Sequence, residues 1–217
     1  MMKIILIGSG GCMRELVWQM QEFNRKKRKW EIVGYIDANR PENGNSIIVG
    51  KEEIYYLGDD SFFESIREPV NVVIAIGNSC VRKRVAEKLI KNPLIQFPTI
   101  VMDNARICKD ARIGQGCIIS MDCRISTNVT AGKFVFMNTG SMICHDGIIG
   151  DYVTLSPDVK LAGAVVVGDD TQIGIGAKII QGISIGCNAI IGAGSIVVRD
   201  AEGGCTYAGV PAKKIRG

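Results

Sequence analysis

The sequence predicts two differently built parts: an α/β region of alternating strands and helices, then an all-β region wound as a parallel β-helix. Three observations carry that prediction. Strand and helix signals alternate over roughly the first hundred residues. An apolar residue then recurs at every sixth position from Ile107 to Val197. The composition is rich in glycine, with 26 residues, and poor in aromatics, at 6%, which suits many turns and slim side chains.

In the first part, Lys3 to Ile7 reads as a short aliphatic strand. The loop "GSGG", Gly8 to Gly11, opens a helix around Arg14 to Phe23, with Leu16, Val17 and Met20 at helical spacing. Glu31 to Ile36 is a second strand ending at Asp37, and "PENGN", Pro41 to Asn45, is a turn. Ser61 to Ile66 reads as a short helix, and Val70 to Ile76 as a β-branched strand running into Gly77. Val81 to Ile90 is a helix expected to carry its Arg and Lys on the outer face, ended by Asn92-Pro93. Such a βαβ array predicts parallel strands and right-handed crossovers. The domains are expected at 1–100 and 101–217.

In the second part, sixteen positions spaced by six, from Ile107 through Ile143 and Ile149 to Val197, are all apolar. Four places after each stands a small or β-branched residue, such as Cys117, Val129 or Val165. Glycine often follows the first position, as at Gly114, Gly150, Gly168, Gly174, Gly186 and Gly192. A period of six is the signature of a parallel β-helix, in which three hexads close a triangular coil. Neighbouring coils then stack about 4.8 Å apart. The aliphatic residue should point inward, the slim residue should fit the corner, and the glycine should accept tight backbone angles.

Composition narrows the rest. Formal net charge is +4, and the run Arg25-Lys26-Lys27-Arg28-Lys29 lacks a nucleic-acid motif, so it reads as a solvated helix end. No apolar run is long enough for a signal peptide or a membrane span, which leads us to expect a cytoplasmic, reduced protein with no membrane partner. The eight cysteines show no metal-ligand spacing, and Cys117 and Cys123 fall at core positions, so no metal is expected.

His145 is the only histidine. It takes the third place of the hexad Ile143 to Ile148, so it points outward, and one coil on it meets Gly163. A glycine there leaves space beside the imidazole and exposes backbone N–H groups. Acyl transfer needs that combination, a base near the nucleophile and a donor near the developing oxyanion. Histidine suits the role because its unperturbed pKa lies near neutrality. On the residues alone, an outward His beside Asp146 is equally a surface ion pair. The "GSGG" loop could hold a phosphate or serve as a tight turn, and with Asp37 it could suggest NAD. Lys213 and Lys214 could reach phosphates of CoA or lie in a solvated tail. A hexapeptide carbonic anhydrase would need three histidines for zinc.

The pieces "IILIGSGGCMREL", "VGYID", "VVIAIGNSCVRKRV", "NTGSMICHDGIIGDYV" and "AGVPAKKIRG" together resemble the hexapeptide-repeat sugar acyltransferases of the NeuD/PglD type. The resemblance implies a small Rossmann-like nucleotide-sugar domain followed by a left-handed β-helix. It implies a homotrimer with acetyl-CoA held between subunits. His145 would be the general base and Asp146 its orienting acid. Gly163 would offer an N–H to the thioester carbonyl, and Thr154 and Ile175 would line the acetyl-CoA site. Gly10, Gly11, Cys12, Asp37 and Gly77 would surround the nucleotide sugar. Cys12 stands where family members commonly have a histidine, and Ala38 where they often have a second aspartate. The expected activity is N-acetylation of a nucleotide-linked amino sugar for glycan or surface-polysaccharide synthesis. The alternatives are O-acetylation of the sialic acid type and a non-catalytic nucleotide-sugar-binding protein.

Overall fold

The computed structural model describes residues 1–40 and 44–217. Most of the predicted turn at Pro41 to Asn45 thus lies outside the described residues. The chain divides into two compact units, one of Met1–Gly77 with Arg84–Pro98, the other of Asn78–Lys83 with Thr99–Gly217. Among the described residues no helix is long and apolar enough to cross a membrane.

The first unit is built on β1 (Met2–Ile7), β2 (Trp30–Ile36), β3 (Ser46–Val49), β4 (Glu52–Gly58), β5 (Val70–Ile74) and β6 (Ile95–Gln96), in the sheet order β3-β4-β2-β1-β5-β6. All neighbours pair in parallel except β3 and β4. That hairpin was not anticipated from the sequence, and the expected helix at Ser61 to Ile66 is a 3-10 turn over Asp60–Glu64, capped by the Asp59 side chain. Helix α1 (Gly11–Lys27) buries Met13, Leu16, Val17, Met20 and Phe23. Burying such a side chain fully contributes about 1.5–3 kcal/mol. The helix runs one turn past Phe23 and ends where Arg28 turns left-handed, its N–H returning to the Asn24 carbonyl. The Asn24 side chain then accepts the N–H groups of Lys29 and Trp30. The basic run therefore sits at the carbonyl end of the helix, where the helix dipole favours positive charge.

In the second unit, two-residue strands stack into three parallel sheets. Each strand pairs with the one 18 residues on, as in Arg124↔Met142, Thr130↔Ile148 and Phe136↔Thr154. Every first-position residue from Ile119 to Val197 is buried, in one continuous core with the slim residues Cys117, Val129, Val153, Val165 and Ala189. A C-terminal hairpin of Thr206–Gly209 with Ala212–Arg216 follows the coils.

The role expected of the glycines needs correction. Tight left-handed angles fall two residues later, at Asn128, Asp146, Tyr152 or Asp158 among others. The glycine after the first position is instead required by stacking. A Cβ on Gly114 would come within 2.6 Å of the Gly132 backbone, and one on Gly150 within 2.7 Å of the Asp169 nitrogen.

The expectation that the arginines and lysines of the second helix face outward also fails at one place. In α2 (Ser79–Leu89), Arg82 is 1% exposed. Its Nε donates to the Phe134 carbonyl at 2.9 Å, and its Nη2 to the Tyr152 carbonyl at 2.7 Å and to Thr154 Oγ1 at 2.8 Å. Beside it Lys83 pairs with the buried Asp170 at 2.6 Å. Arg82 lies four residues before the buried Ala86, on the inward stripe of the helix, so spacing outweighs charge here.

Candidate active site

His145 and Asp146 occupy one corner of the coil, just after the strand Met142–Ile143. Asp146 has φ of +61°, a conformation that Asn and Asp tolerate better than most residues. Asp122, Asp158 and Asp170 fill other corners in the same way, so an aspartate here is no functional sign by itself. What its side chain touches is. Asp146 Oδ2 lies 2.7 Å from His145 Nδ1, and its Oδ1 accepts the Asn128 amide at 2.7 Å. These contacts, the Asn128 hydrogen bond first, hold the Asp146 carboxyl below its usual range. An ionised carboxylate can only accept, so in the neutral imidazole this contact calls for the proton on Nδ1 and leaves the Nε2 lone pair free. Both side chains are half exposed, at 51%.

The imidazole lies against Gly163, and the expected open space beside the ring is taken by the ring itself. A Cβ at position 163 would fall 2.3 Å from Cε1 and 2.5 Å from Nε2. The tier is locked by the Ala164 N–H, which donates to the His145 carbonyl at 2.8 Å. At the equivalent places on another corner, the N–H groups of Lys133 and Asp151 are capped by the carboxylates of Asp151 and Asp169. Among the described residues the Gly163 N–H has no such cap. A base with a free lone pair and an uncapped backbone donor thus stand side by side.

Thr154 and Ile175 are placed differently. Thr154 is buried and its hydroxyl accepts from Arg82, while Ile175 is 54% exposed. Nine residues separate His145 from Thr154, half of the 18-residue coil, so the two lie on opposite sides of the triangle. A single copy does not bring them together.

In the first unit the residues expected around a nucleotide sugar gather at the carboxyl edge of the parallel sheet. Gly10 caps α1, and Gly11 and Cys12 begin it, directly after β1. Asp37 follows β2; its Oδ1 accepts the Asn39 N–H at 3.0 Å and its carbonyl accepts the Tyr56 hydroxyl at 3.2 Å. Gly77 follows β5. Strand order reverses about β1, and such switch points are where open α/β sheets bind ligands. Gly8, at φ +105° and 3.1 Å from the Ala75 carbonyl at its would-be Cβ, makes the tight turn. Two residues with a part in these arrangements escaped the sequence reading, Arg82 and Asn128. The second was legible in principle, since it stands 18 residues before Asp146.

Residues 3–89 match the model of the PglD N-terminal domain. The GDP-perosamine N-acetyltransferase of Escherichia coli O157:H7 is 39% identical over 90 residues, which span 42% of this chain and 40% of that protein. The chain therefore aligns with less than half the length of that curated relative. Among solved structures, PerB from Caulobacter crescentus, in complex with CoA and GDP-perosamine, matches with a TM-score of 0.83 and 25% identity over 98% of this chain and 96% of that one. WeeI from Acinetobacter baumannii AYE matches with 0.83 and 29% identity, over 99% and 100%. Residues 3–89 thus resemble the PglD N-terminal domain, and the chain as a whole shares the fold of these solved structures, a small Rossmann-like sheet followed by a left-handed parallel β-helix.

Proposed function

We propose that the protein is an acetyl-CoA-dependent N-acetyltransferase acting on a nucleotide-linked amino sugar, in the service of glycan or surface-polysaccharide synthesis. The observation that carries this reading is the His145–Asp146 pair seated on Gly163 beside an uncapped N–H. The likeness to a GDP-perosamine N-acetyltransferase and to PerB supports the substrate class.

The amine of the sugar attacks the thioester carbonyl carbon as the free base. A C–N bond forms, and the carbonyl oxygen becomes an oxyanion facing the Gly163 N–H. The tetrahedral adduct passes a proton from nitrogen to His145 Nε2. The C–S bond then breaks, and the imidazolium returns a proton to the departing sulfur, leaving the amide and free CoA. Asp146 stabilises the imidazolium in between and holds Nδ1–H in place. Acetyl-CoA serves as donor substrate, and an activated thioester needs no metal.

We further propose a homotrimer with sites between subunits. The offset of Thr154 and Ile175 from His145 around the coil, half a turn for Thr154 and two thirds of a turn for Ile175, supports this, because they would meet the base from another copy. We place the reaction in the cytoplasm. The nucleotide sugar would sit at Gly10, Gly11, Cys12, Asp37 and Gly77.

Incubation with acetyl-CoA and GDP-, UDP- or dTDP-amino sugars, set against sialic acid, tests the reading. Loss of the free amine with release of CoA thiol is expected. An alkali-labile ester would indicate O-acetylation instead, and binding without turnover of any acceptor would indicate a nucleotide-sugar-binding protein.

A further inference from the structure

We propose that Asn128 is a positioning residue for the acetyl transfer, fixing the Asp146 carboxylate so that one oxygen is held against His145. The proposal rests on the reading of His145 as the base.

Asp110, Asn128 and Asp146 stand 18 residues apart and form one column along a corner of the β-helix. An exposed His–Asp pair of sequence neighbours is poorly fixed by itself, since each side chain keeps rotamer freedom and water competes for the contact. Here the carboxylate is tied at both ends. Oδ1 accepts the Asn128 Nδ2 at 2.7 Å and Oδ2 meets His145 Nδ1 at 2.7 Å. The next place up the column is Ala164, which offers no side-chain donor.

The tier beneath is itself anchored. Asp110 Oδ2 accepts the Asn128 N–H at 3.0 Å and the Thr127 hydroxyl at 2.6 Å. Thr127 lies one coil below His145, and its carbonyl accepts the Asp146 N–H at 3.1 Å. The imidazole thus rests on Gly163, and its acid partner is held between His145 and Asn128. An asparagine is the suitable residue at this place. It tolerates the left-handed backbone, at φ +54°, and unlike the near-isosteric aspartate it donates to the carboxylate above.

The test uses the full chain and its single histidine, labelled with 15N. Wild-type imidazole is expected in the Nδ1–H tautomer. Asn128→Gly, which keeps the left-handed backbone without strain, is expected to mix the two tautomers. It should lower kcat about tenfold or more, a part of what a general base supplies, with both KM values within about twofold. Asn128→Asp, which sets a like charge against Asp146, is expected to do at least as much. Thermal melts of both variants check that the coil remains folded. An unchanged tautomer and wild-type kcat in folded N128G overturn the proposal alone. A shifted tautomer together with near-native turnover in H145A overturns the reading of His145 on which it depends.

Discussion

His145 lies so close upon Gly163, one coil further on, that a single added carbon at position 163 would stand 2.5 Å from Nε2. Base and glycine are therefore one structural unit. Gly163→Ala is expected to swing the imidazole off its seat and lower kcat about a hundredfold. The Gly163 backbone is not left-handed, so alanine adds no φ strain and the melting temperature should hardly change. Steady-state kinetics beside a thermal melt checks both halves, and full activity in G163A would dismiss the seat.

His145→Ala is expected to leave the β-helix folded, because the side chain is half exposed and outside the core. Acetyl transfer should fall at least about a hundredfold. The measurement is CoA-thiol release at saturating acetyl-CoA.

The pH dependence of stability carries a definite sign. Asp146 is held below its usual range by Asn128 and then His145, and Asp110 is held down to about 2, chiefly by the Thr127 hydroxyl. A carboxyl whose folded pKa is depressed contributes stability that is present above its unfolded pKa, about 3.9, and is lost as pH falls through the folded value. Acidification from about pH 5 to about pH 2 should therefore cost the wild type more than Asp110→Asn. Urea unfolding of both proteins across that range decides it, and parallel curves would contradict the assignment.

Burial pushes the thiols of Cys117 and Cys123 up to about 11 and about 12. Thiolate is the reactive form, so neither should react with iodoacetamide in the native protein at pH 8. The exposed Cys80 should label readily. Mass spectrometry of native against urea-unfolded protein counts the labels, with all eight cysteines modified only after unfolding.

Arg82→Ala is expected to destabilise the protein by about 2–4 kcal/mol. It leaves the buried carbonyls of Phe134 and Tyr152 without the donor that reaches them and opens a cavity. Lysine should not rescue it, because a single ammonium lacks the planar fork that serves several acceptors at once. Chemical denaturation of R82A and R82K gives the comparison.

Much of the second unit was legible before any coordinates. The six-residue count assigned inward positions from Ile107 to Val197; each from Ile119 onward is buried, while Ile107 and Ile113 in the first coil are only partly so. It also set the phase of His145 and named Gly163 as its neighbour. The same count was misread at Gly114 and Gly150, where a small residue is needed for coil-to-coil approach and not for backbone angle. In the first unit the aliphatic runs of β1, β2 and β5 announced themselves, while β3 and β4 did not. Lys51 in the turn between them and Glu52 and Glu53 at the start of β4 separate short apolar stretches, which blurs the strand alternation.

The sequence by itself determined the period, the phase and hence every stacking partner along the β-helix. This is because contacts there join residues 18 apart, one strand spacing away, so counting is equivalent to measuring. It also determined that a histidine faces outward above a glycine. Only the tertiary structure decided that Arg82 is buried against Phe134 and Tyr152, 52 and 70 residues away. Only the structure, too, turned the second oxygen of Asp146 toward Asn128. These depend on side-chain direction and on the docking of a helical turn, which no repeat length encodes.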